Sequence, residues 1–346
     1  MTFAFYLSRM FLARLIAGLL ALAGLLQLVE LMDKADEILE RGLGVAGMAR
    51  FAFYHLPLVL GAVLPIAVLM AATLTLAALA RRGEIAAMRA AGLPVARLVG
   101  GLIPVALAVA ALDFVLADRV APAADAAFAR WWHTDDAEPE RLWFRDGMDV
   151  VGVDRVEAEG ARLIGMEVVR RQPDGRLAQW IAAERAEWGD GRWDLVGGSQ
   201  RGAEGGVQPF ERLHWTTHLV PANLAELARP APLLSTGHLM AALHGRWATR
   251  YSPKVLETRL LHTVAAPLAV VLLIVLATPV AGGTPRGGGI TAGMAVGLAA
   301  GLSYLLLDGI LGALGEAGSL PPIMAAWLAH AAFACIGGAM LLFVEG

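Results

Sequence analysis

Residues 51–80 contain no lysine, arginine, aspartate or glutamate. A helix needs only about 20 apolar residues to cross the hydrocarbon core of a bilayer. A run of this length therefore predicts a span that is tilted, extended beyond the membrane, or kinked at Pro57 or Pro65. The rest of the chain has the same character, because 57% of its 346 residues are hydrophobic, 17% are charged, and the mean hydropathy is +0.60. These features predict an integral membrane protein.

Five more apolar runs predict five more spans around a long polar segment. The six predicted spans cover residues 10–32, 51–80, 98–117, 260–280, 288–307 and 322–344. The first run follows Arg9 and Arg14 and could be a signal peptide, but no clear Ala-x-Ala cleavage site follows it and residues 33–41 are expected to continue as a helix, so we interpret it as a retained span. The chain then divides into residues 1–117 with three spans, a polar insertion at 118–253, and residues 254–346 with three spans.

The polar insertion has the alternating pattern of β-structure. Its predicted strands cover residues 142–147, 150–156, 161–171, 177–187, 192–196 and 213–220. Short strands at intervals of about 8–12 residues favour a sandwich or a jelly roll. Helices are predicted on either side, at 118–132 and at 236–243, the second with Ser235 or Thr236 as its N-cap. The tryptophans expected in the core, rather than as ligand contacts, are Trp143, Trp180, Trp188 and Trp193. Such a module could be a spacer, or its interior could accept acyl chains.

A short charged segment, residues 81–92, lies between the second and third spans and has the pattern of a helix. The residues that recur on one helical face are Glu84, Ile85, Met88 and Ala91. Gly92 followed by Pro94 is typical of a helix end. A tight hairpin between two spans needs no such helix, whereas a membrane protein that receives work from a soluble motor does. The alternative interpretation is a positively charged anchor without a partner.

The charges in the short loops predict the orientation. The arginines of residues 81–97 are Arg81, Arg82, Arg89 and Arg97, against the single acid Glu84. The other loop expected on that side carries Arg286, whereas the polar loops expected on the opposite side, at 33–50 and 312–321, are neutral or acidic. The positive-inside rule then places both termini in the cytoplasm and the insertion outside.

Ionisable residues inside a span are costly, so they are candidate functional residues. They are Glu30, Asp113, His262, Asp308 and His330. Asp308 is the strongest candidate and is expected to face a cavity or to pair with a neighbouring helix. His262 and His330 are expected to be hydrogen-bonded packing residues rather than proton relays. Glu30 and Asp113 lie nearer the outer interface and could be hydrated.

Several other classes of site are not indicated. Cys335 is the only cysteine, so no intramolecular disulfide and no Cys/His metal cluster are expected. The sequence has no Gly-x-x-x-x-Gly-Lys-[Ser/Thr] loop to cradle ATP phosphates. No Ser/His/Asp or Cys/His arrangement indicates an enzyme, and a net charge of −3 does not indicate nucleic-acid binding.

Short motifs along the chain resemble one family in their order and spacing. The motifs are Glu84 to Gly92, Asp118-Arg119-Val120-Ala121-Pro122, Gly191-Arg192-Trp193-Asp194-Leu195, Arg259 to Pro267, Thr278-Pro279 to Arg286-Gly287, Ser303-Tyr304 to Leu307-Asp308, and Leu320-Pro321-Pro322 to Trp327. Together they resemble the lipopolysaccharide-export permeases, the LptF/LptG (YjgP/YjgQ) family, over nearly the whole chain. The exit of the first span, residues 31–37, is more similar to LptG-like members.

The resemblance implies a fold and a function. The fold is an α-helical polytopic membrane protein with six transmembrane helices and a periplasmic β-jelly-roll insertion between helices 3 and 4. The function is that of a permease subunit of an ABC transporter, not itself an enzyme, that extracts lipopolysaccharide from the bacterial inner membrane and passes it to a periplasmic bridge. The implied partners are an LptF-type permease, an LptC-type protein and an LptB-type ATPase dimer. That dimer would bind ATP and magnesium, with no cofactor in this chain, and spans one and five would form lateral gates.

The resemblance also assigns candidate residues. The helix at 81–92 would couple to the ATPase, with Glu84 in the ATPase groove. The candidate coupling residues are Arg81, Arg82, Glu84, Ile85, Met88, Arg89 and Gly92. LptG-type members often carry lysines near the outer end of span one, whereas only Lys34 is basic within residues 30–37 here. A substrate with fewer phosphates, or a divalent cation that bridges acid to phosphate, would fit this difference. The candidate headgroup contacts are Lys34, Arg41 and Lys254.

A secondary transporter, or another lipid-handling membrane protein without an ATPase partner, is the alternative. Asp308 and the glycine-rich spans four and five are compatible with a secondary transporter, whose sites lie near the membrane midplane. No ion site is evident in the sequence. Co-purification of an ATPase would separate the two interpretations.

Overall fold

A computed structural model describes residues 3–132, 141–157, 160–172, 176–203, 205–227, 232–282 and 289–345. The chain divides into two compact units. One consists of Met1–Ala124 and Thr258–Gly346, and the other of Asp125–Glu257. The predicted turn around Arg286 lies outside the described residues.

The membrane-type helices occur on both sides of the insertion in sequence. Before it lie α1 (Phe3–Glu40), α2 (Gly44–Arg81), α3 (Glu84–Ala90), α4 (Val95–Val115), a π-helical turn (Leu116–Val120) and α5 (Ala121–Trp132). The helices and turns of the insertion and the C-terminal part are α6 (Pro221–Leu227), α7 (Thr236–Leu243), α8 (Pro253–Leu276), a 3₁₀ turn (Thr278–Gly282), α9 (Gly289–Glu316) and α10 (Pro322–Glu345). Within the described residues, 6 helices are long and apolar enough to cross a membrane, which confirms the six predicted spans.

Most of the polar loop predicted at 33–50 is helical, which confirms the helix predicted at 33–41 as far as Glu40 and corrects the loop beyond it. Helix α1 continues to Glu40 and α2 already begins at Gly44. Glu37 forms ion pairs with Lys34, three residues before it at 3.1 Å, and with Arg41, four residues after it at 3.0 Å. Such pairs stabilise a helix in water, so polar composition did not end this one.

Glycines let α9 pack closely on the neighbouring backbone. A Cβ atom on Gly293 would lie 2.5 Å from the carbonyl oxygen of Pro279, and one on Gly297 would lie 3.1 Å from that of Leu276. Small residues at such contacts allow helices in membranes to approach each other closely. The glycines of α9 are therefore part of the packing between α9 and the end of α8.

A Gly293→Ala variant is expected to lose at least about 1 kcal/mol of stability, because the added methyl group meets backbone that cannot rotate away. Thermal unfolding of the purified protein in detergent measures the loss. Gly309→Ala is the matched control on the same helix, since a Cβ there meets nothing within 4 Å. Equal shifts of the two melting temperatures would contradict this account of the packing.

The insertion contains a single antiparallel sheet whose strands pair in sequence order. The strands are β1 (Leu142–Asp146), β2 (Asp149–Glu157), β3 (Arg162–Arg171), β4 (Leu177–Gly189), β5 (Arg192–Gly202) and β6 (Val207–Trp215). Asp190 and Gly191 connect β4 to β5 with φ angles of 51° and 76°, the positive values that a tight type I′ turn requires. A six-stranded sheet at this place in the chain fits the expected jelly-roll-like insertion between helices 3 and 4.

The last strand begins earlier than predicted and ends at Trp215 rather than at residue 220. The side chain of Thr217 donates a hydrogen bond to the carboxylate of Asp146, as does the backbone N–H of His218 at 3.3 Å. These residues therefore bond to a side chain instead of continuing the sheet. Helix α7 occurs at the predicted residues, and the Ser235 side chain accepts from the His238 N–H at 3.4 Å, which confirms Ser235 as its N-cap.

The tryptophans of the insertion differ in burial. Trp193 is 0% exposed and its indole N–H donates to the carbonyl oxygen of Leu219 at 2.9 Å, so its predicted place in the core is confirmed. The core prediction is wrong for Trp143, which is 42% exposed. Its ring lies over Gly152, and the guanidinium of Arg141 is 4.8 Å from the ring centroid. Because Gly152 has no side chain, the sheet surface itself provides a flat site for this ring.

Candidate functional site

Helix α3 is bounded by glycines in the left-handed region. Gly83 precedes it with φ of 74°, and Gly92 follows it with φ of 75°. The N–H of Gly92 donates to the carbonyl of Arg89, and the N–H of Leu93 donates to that of Met88, both at 3.0 Å. This pair of bonds is a Schellman motif, which satisfies the last carbonyls of a helix. The predicted helix end at Gly92 is confirmed.

The apolar face of α3 is directed into the helical unit. Ile85 is 3% exposed and belongs to the main apolar core, and Met88 packs against that core. The residues that α3 leaves exposed are Ala86, Ala87, Arg89 and Ala90. Ile85 and Met88 therefore hold the helix in place, and a soluble partner would meet the opposite face.

Glu84 and Arg82 are joined by a tyrosine from α1. The Tyr6 hydroxyl donates to Glu84 Oε1 at 3.1 Å, and Arg82 Nη1 donates to the Tyr6 hydroxyl oxygen at 3.2 Å. Arg82 Nη1 and Glu84 Oε1 are 3.8 Å apart, which is longer than a hydrogen bond. Sequence reasoning missed Tyr6, because a tyrosine near the end of a span is typical of an interfacial anchor.

Two other arginines of this region, Arg81 and Arg89, differ in their contacts. The Nε of Arg81 donates to the carbonyl of Ala77 at 3.4 Å, and its Nη2 is 4.0 Å from the sulfur of Met294 on α9. Arg89 is exposed, and its side chain makes no ion pair or hydrogen bond to another described residue. Arg89 is therefore the cation of α3 that is most accessible to a partner.

Asp308 lies between two histidines from different helices. Its Oδ2 is 3.2 Å from His262 Nε2 on α8, and its Oδ1 is 3.7 Å from His330 Nδ1 on α10. The ring nitrogen His330 Nε2 lies 3.0 Å from the hydroxyl of Tyr304, one turn from Asp308 on α9. The side chains of Asp308 and His330 are 15% and 7% exposed. Three helices are thus connected by one polar network, which is buried at His330 and partly exposed at His262.

The members of this network lie at one depth. His262 is nine residues after the start of α8 at Pro253, and His330 is eight residues after the start of α10 at Pro322. Asp308 is eight residues before the end of α9 at Glu316. At 1.5 Å per residue, each lies about 12–14 Å from its helix end. Nearer those ends Arg259 makes a two-pronged ion pair with Glu316, at 3.0 and 3.1 Å.

The candidate headgroup cations belong to different compact units of the chain. Lys34 and Arg41 lie near the end of α1 and share Glu37 as an ion-pair partner. Lys254 is exposed in the first turn of α8 and belongs to the other compact unit. Glu30, a turn before Lys34, is half-buried, and its Oε2 has no hydrogen-bond partner among the described residues. Exposed ion pairs of this kind contribute only about 0–1 kcal/mol, so a phosphate could displace Glu37 from either cation.

Comparison with known proteins gives a match along almost the whole chain. The family model for the lipopolysaccharide export system permease LptF/LptG matches residues 5–342. Among individual proteins, the chain is similar to the lipopolysaccharide export system permease protein LptG of Escherichia coli strain K12, with 25% identity over 332 residues. That alignment covers 91% of this chain and 90% of the relative. The LptG protein of Escherichia coli O6:H1 strain CFT073 is similar to the same extent.

Proposed function

The chain belongs to the LptF/LptG family of lipopolysaccharide export permeases, and from this premise we propose that it couples ATP hydrolysis on a separate ATPase to the extraction of lipopolysaccharide from the inner membrane. In this proposal the chain is the non-catalytic transmembrane subunit. It pairs with an LptF-type permease, and an LptC-type protein receives the lipid for the periplasmic bridge. The ATP and magnesium are held by an LptB-type ATPase dimer, and this chain needs no cofactor of its own.

The orientation of α3 is the observation that carries the proposal. The helix is held by Ile85 on one side and presents three alanines and Arg89 on the other. A surface of small side chains lets another protein approach the helix backbone closely, and one arginine supplies a directional, charge-assisted contact. A simple membrane anchor needs neither a buried face nor a surface of small residues. The arrangement therefore favours docking of a soluble protein over the anchor interpretation.

The proposed topology places α3 and both termini in the cytoplasm and the sheet in the periplasm. The four arginines of residues 81–97 support this orientation through the positive-inside rule. Lys34 and Arg41 then lie at the outer end of α1, where lipid phosphates would be. Helices α1 and α9 are proposed as the lateral gates through which the acyl chains enter.

Photo-crosslinking in cells tests the docking face. A crosslinking amino acid at Ala86 or Arg89 is expected to form an adduct with a soluble ATPase, because both positions are exposed on α3. The control position is Val45, which is 80% exposed in the first turn of α2 and lies, in this topology, on the other side of the membrane. If the expressed and folded protein gave no ATPase adduct from either α3 position, a transporter that works without an ATPase would be favoured instead.

An Ala86→Trp variant is expected to reduce association with the ATPase by at least about tenfold, since a large ring on a close-packed docking surface costs at least about 1.4 kcal/mol. Ile85 and Met88 are unchanged, so the helix should stay in place. Co-purification of the ATPase at graded expression levels measures the change. Val45→Trp is the matched control and should bind normally; equal losses in the two variants would contradict the proposed face.

A further inference from the structure

The hydroxyl group of Tyr6 makes polar contacts between the first turns of α1 and the segment 81–92. Tyr6 donates to Glu84 Oε1 and accepts from Arg82, and these are the polar contacts that the described structure gives between its side chain and the segment 81–92. Because Arg82 and Glu84 are 3.8 Å apart, the hydroxyl occupies the space between them rather than supplementing an existing bond. Both bonds involve a charged partner, which makes them stronger than neutral ones.

The apolar surroundings hold Tyr6 in position. Leu7 and Phe11, on the same two turns of α1, are 0% exposed. A Cβ atom on Gly101 of α4 would lie 2.9 Å from Leu7 Cδ1, so α4 approaches this part of α1 closely. Tyr6 itself is 37% exposed, at the edge of that packed region. The first turns of α1 are thus fixed to α3 and α4 together.

The other end of the same helix carries two of the candidate headgroup cations. Helix α1 has 38 residues without a proline, and Lys34 and Arg41 lie at and just beyond its last turns. Its middle part is weakly covered, since Leu20, Leu25 and Met32 are 72%, 62% and 70% exposed. A displacement of its first turns would therefore be carried along a continuous helix to the residues near the lipid headgroup.

We propose that Tyr6 is a positioning residue that transmits movement of α3 to α1, and so links the ATPase-docking surface to the headgroup end of this helix. The inference rests on the function proposed above. Tyr6 and Arg82 occupy only Oε1 of Glu84. Oε2 can accept from a cation of the docked ATPase, so Glu84 can contact the ATPase and α1 at the same time.

The test uses the complete transporter reconstituted in vesicles that contain lipopolysaccharide. A Tyr6→Phe variant removes one oxygen atom and keeps the ring, Leu7 and Phe11. We expect the complex to assemble, to unfold at the same temperature, and to hydrolyse ATP at a rate close to that of the wild type. The lipopolysaccharide released per ATP hydrolysed should fall by about two- to tenfold, the effect expected from the loss of a hydrogen bond in the coupled step.

Tyr54→Phe is the matched control, because Tyr54 also accepts a hydrogen bond from an arginine, Arg50, at 3.4 Å on an exposed part of α2. Its ratio of release to hydrolysis should equal that of the wild type. If Tyr6→Phe left this ratio unchanged, or lowered hydrolysis and release in the same proportion, the role of Tyr6 would be overturned while ATP-driven export by the wild type still stood. Absence of ATP-driven release in the wild type would instead overturn the proposed function itself.

Discussion

An Asp308→Ala variant is expected to lose about 1–3 kcal/mol of stability, because the half-buried His262 and the buried His330 lose the carboxylate that faces both rings at 3.2 and 3.7 Å. Besides Asp308, the polar contacts of α9 with these two helices include the Arg259–Glu316 ion pair with α8 and the Tyr304–His330 contact with α10. The nitrogens of His262 and His330 that face Asp308 form no hydrogen bond within the described residues, so the nearby carboxylate charge is what they would lose. Thermal unfolding of the intact protein in nanodiscs measures the loss, and reduced contact between α8, α9 and α10 should accompany it.

Two further variants make this prediction specific. Asp308→Asn keeps an acceptor for one imidazole, so its stability should lie between those of the wild type and Asp308→Ala. Asp113→Ala removes a carboxylate of α4 that has no ion pair or hydrogen bond to another described residue, and it should be neutral or stabilising. If Asp308→Ala were no less stable than Asp113→Ala, the network would not hold the three helices together.

A Trp193→Ala variant is expected to destabilise the insertion by about 3–5 kcal/mol, the range for removing a large aromatic side chain from a core. Trp193 is fully buried, its ring centroid is 5.3 Å from that of Trp188, and its indole N–H satisfies the carbonyl of Leu219. Hydrogen exchange of β4, β5 and β6 in the full-length protein should become faster. The expected consequence for function is a loss of lipopolysaccharide release with the ATPase still bound, since α3 lies in the other unit.

Trp143→Ala provides the matched comparison in the same sheet. Trp143 is 42% exposed and covers Gly152 and the stem of Arg141, so less than about 1 kcal/mol should be lost. Exchange in β4 to β6 should stay close to that of the wild type. A stronger effect of Trp143 than of Trp193 on exchange would contradict the burial on which both expectations rest.

The parts of the fold that follow from local sequence were predictable. Apolar runs predicted the spans, and Gly92 and Ser235 predicted a helix end and a helix start, because each of these signals depends on a few neighbouring residues. The continuation of α1 to Glu40 was predicted, whereas the start of α2 at Gly44 was not, because Leu43 before it provides no side-chain cap to mark a helix start. Trp143 was wrongly assigned to the core. Its position on the sheet surface depends on Gly152 in the next strand, and the residues around Trp143 in the sequence do not show that pairing.

The candidate site was predictable only as a set of separate residues. The helical pattern groups Ile85 and Met88 on one face of α3. Because alanines occur on that face and on the opposite one, the pattern does not show which of the two faces is buried. Tyr6 and Glu84 are 78 positions apart in the sequence, and nothing local relates them. Asp308 and His330 were each candidates by the cost of an ionisable group in a span, and their pairing depends on the packing of α8, α9 and α10.

The two left-handed glycines around α3 have a consequence for how this segment can change. Among the described residues, a Cβ built on Gly83 or Gly92 meets no atom within 4 Å apart from its chain neighbours, so torsional preference requires glycine at both positions. The glycines that bound α3 are thus different residues from the four that it exposes to a partner, which are Ala86, Ala87, Arg89 and Ala90. Under the proposed function, exchanging these four residues for those of a related protein is expected to change the choice of ATPase without repacking the membrane helices. Specificity for the motor would then be portable between permeases, while the two glycines keep the backbone that presents it unchanged.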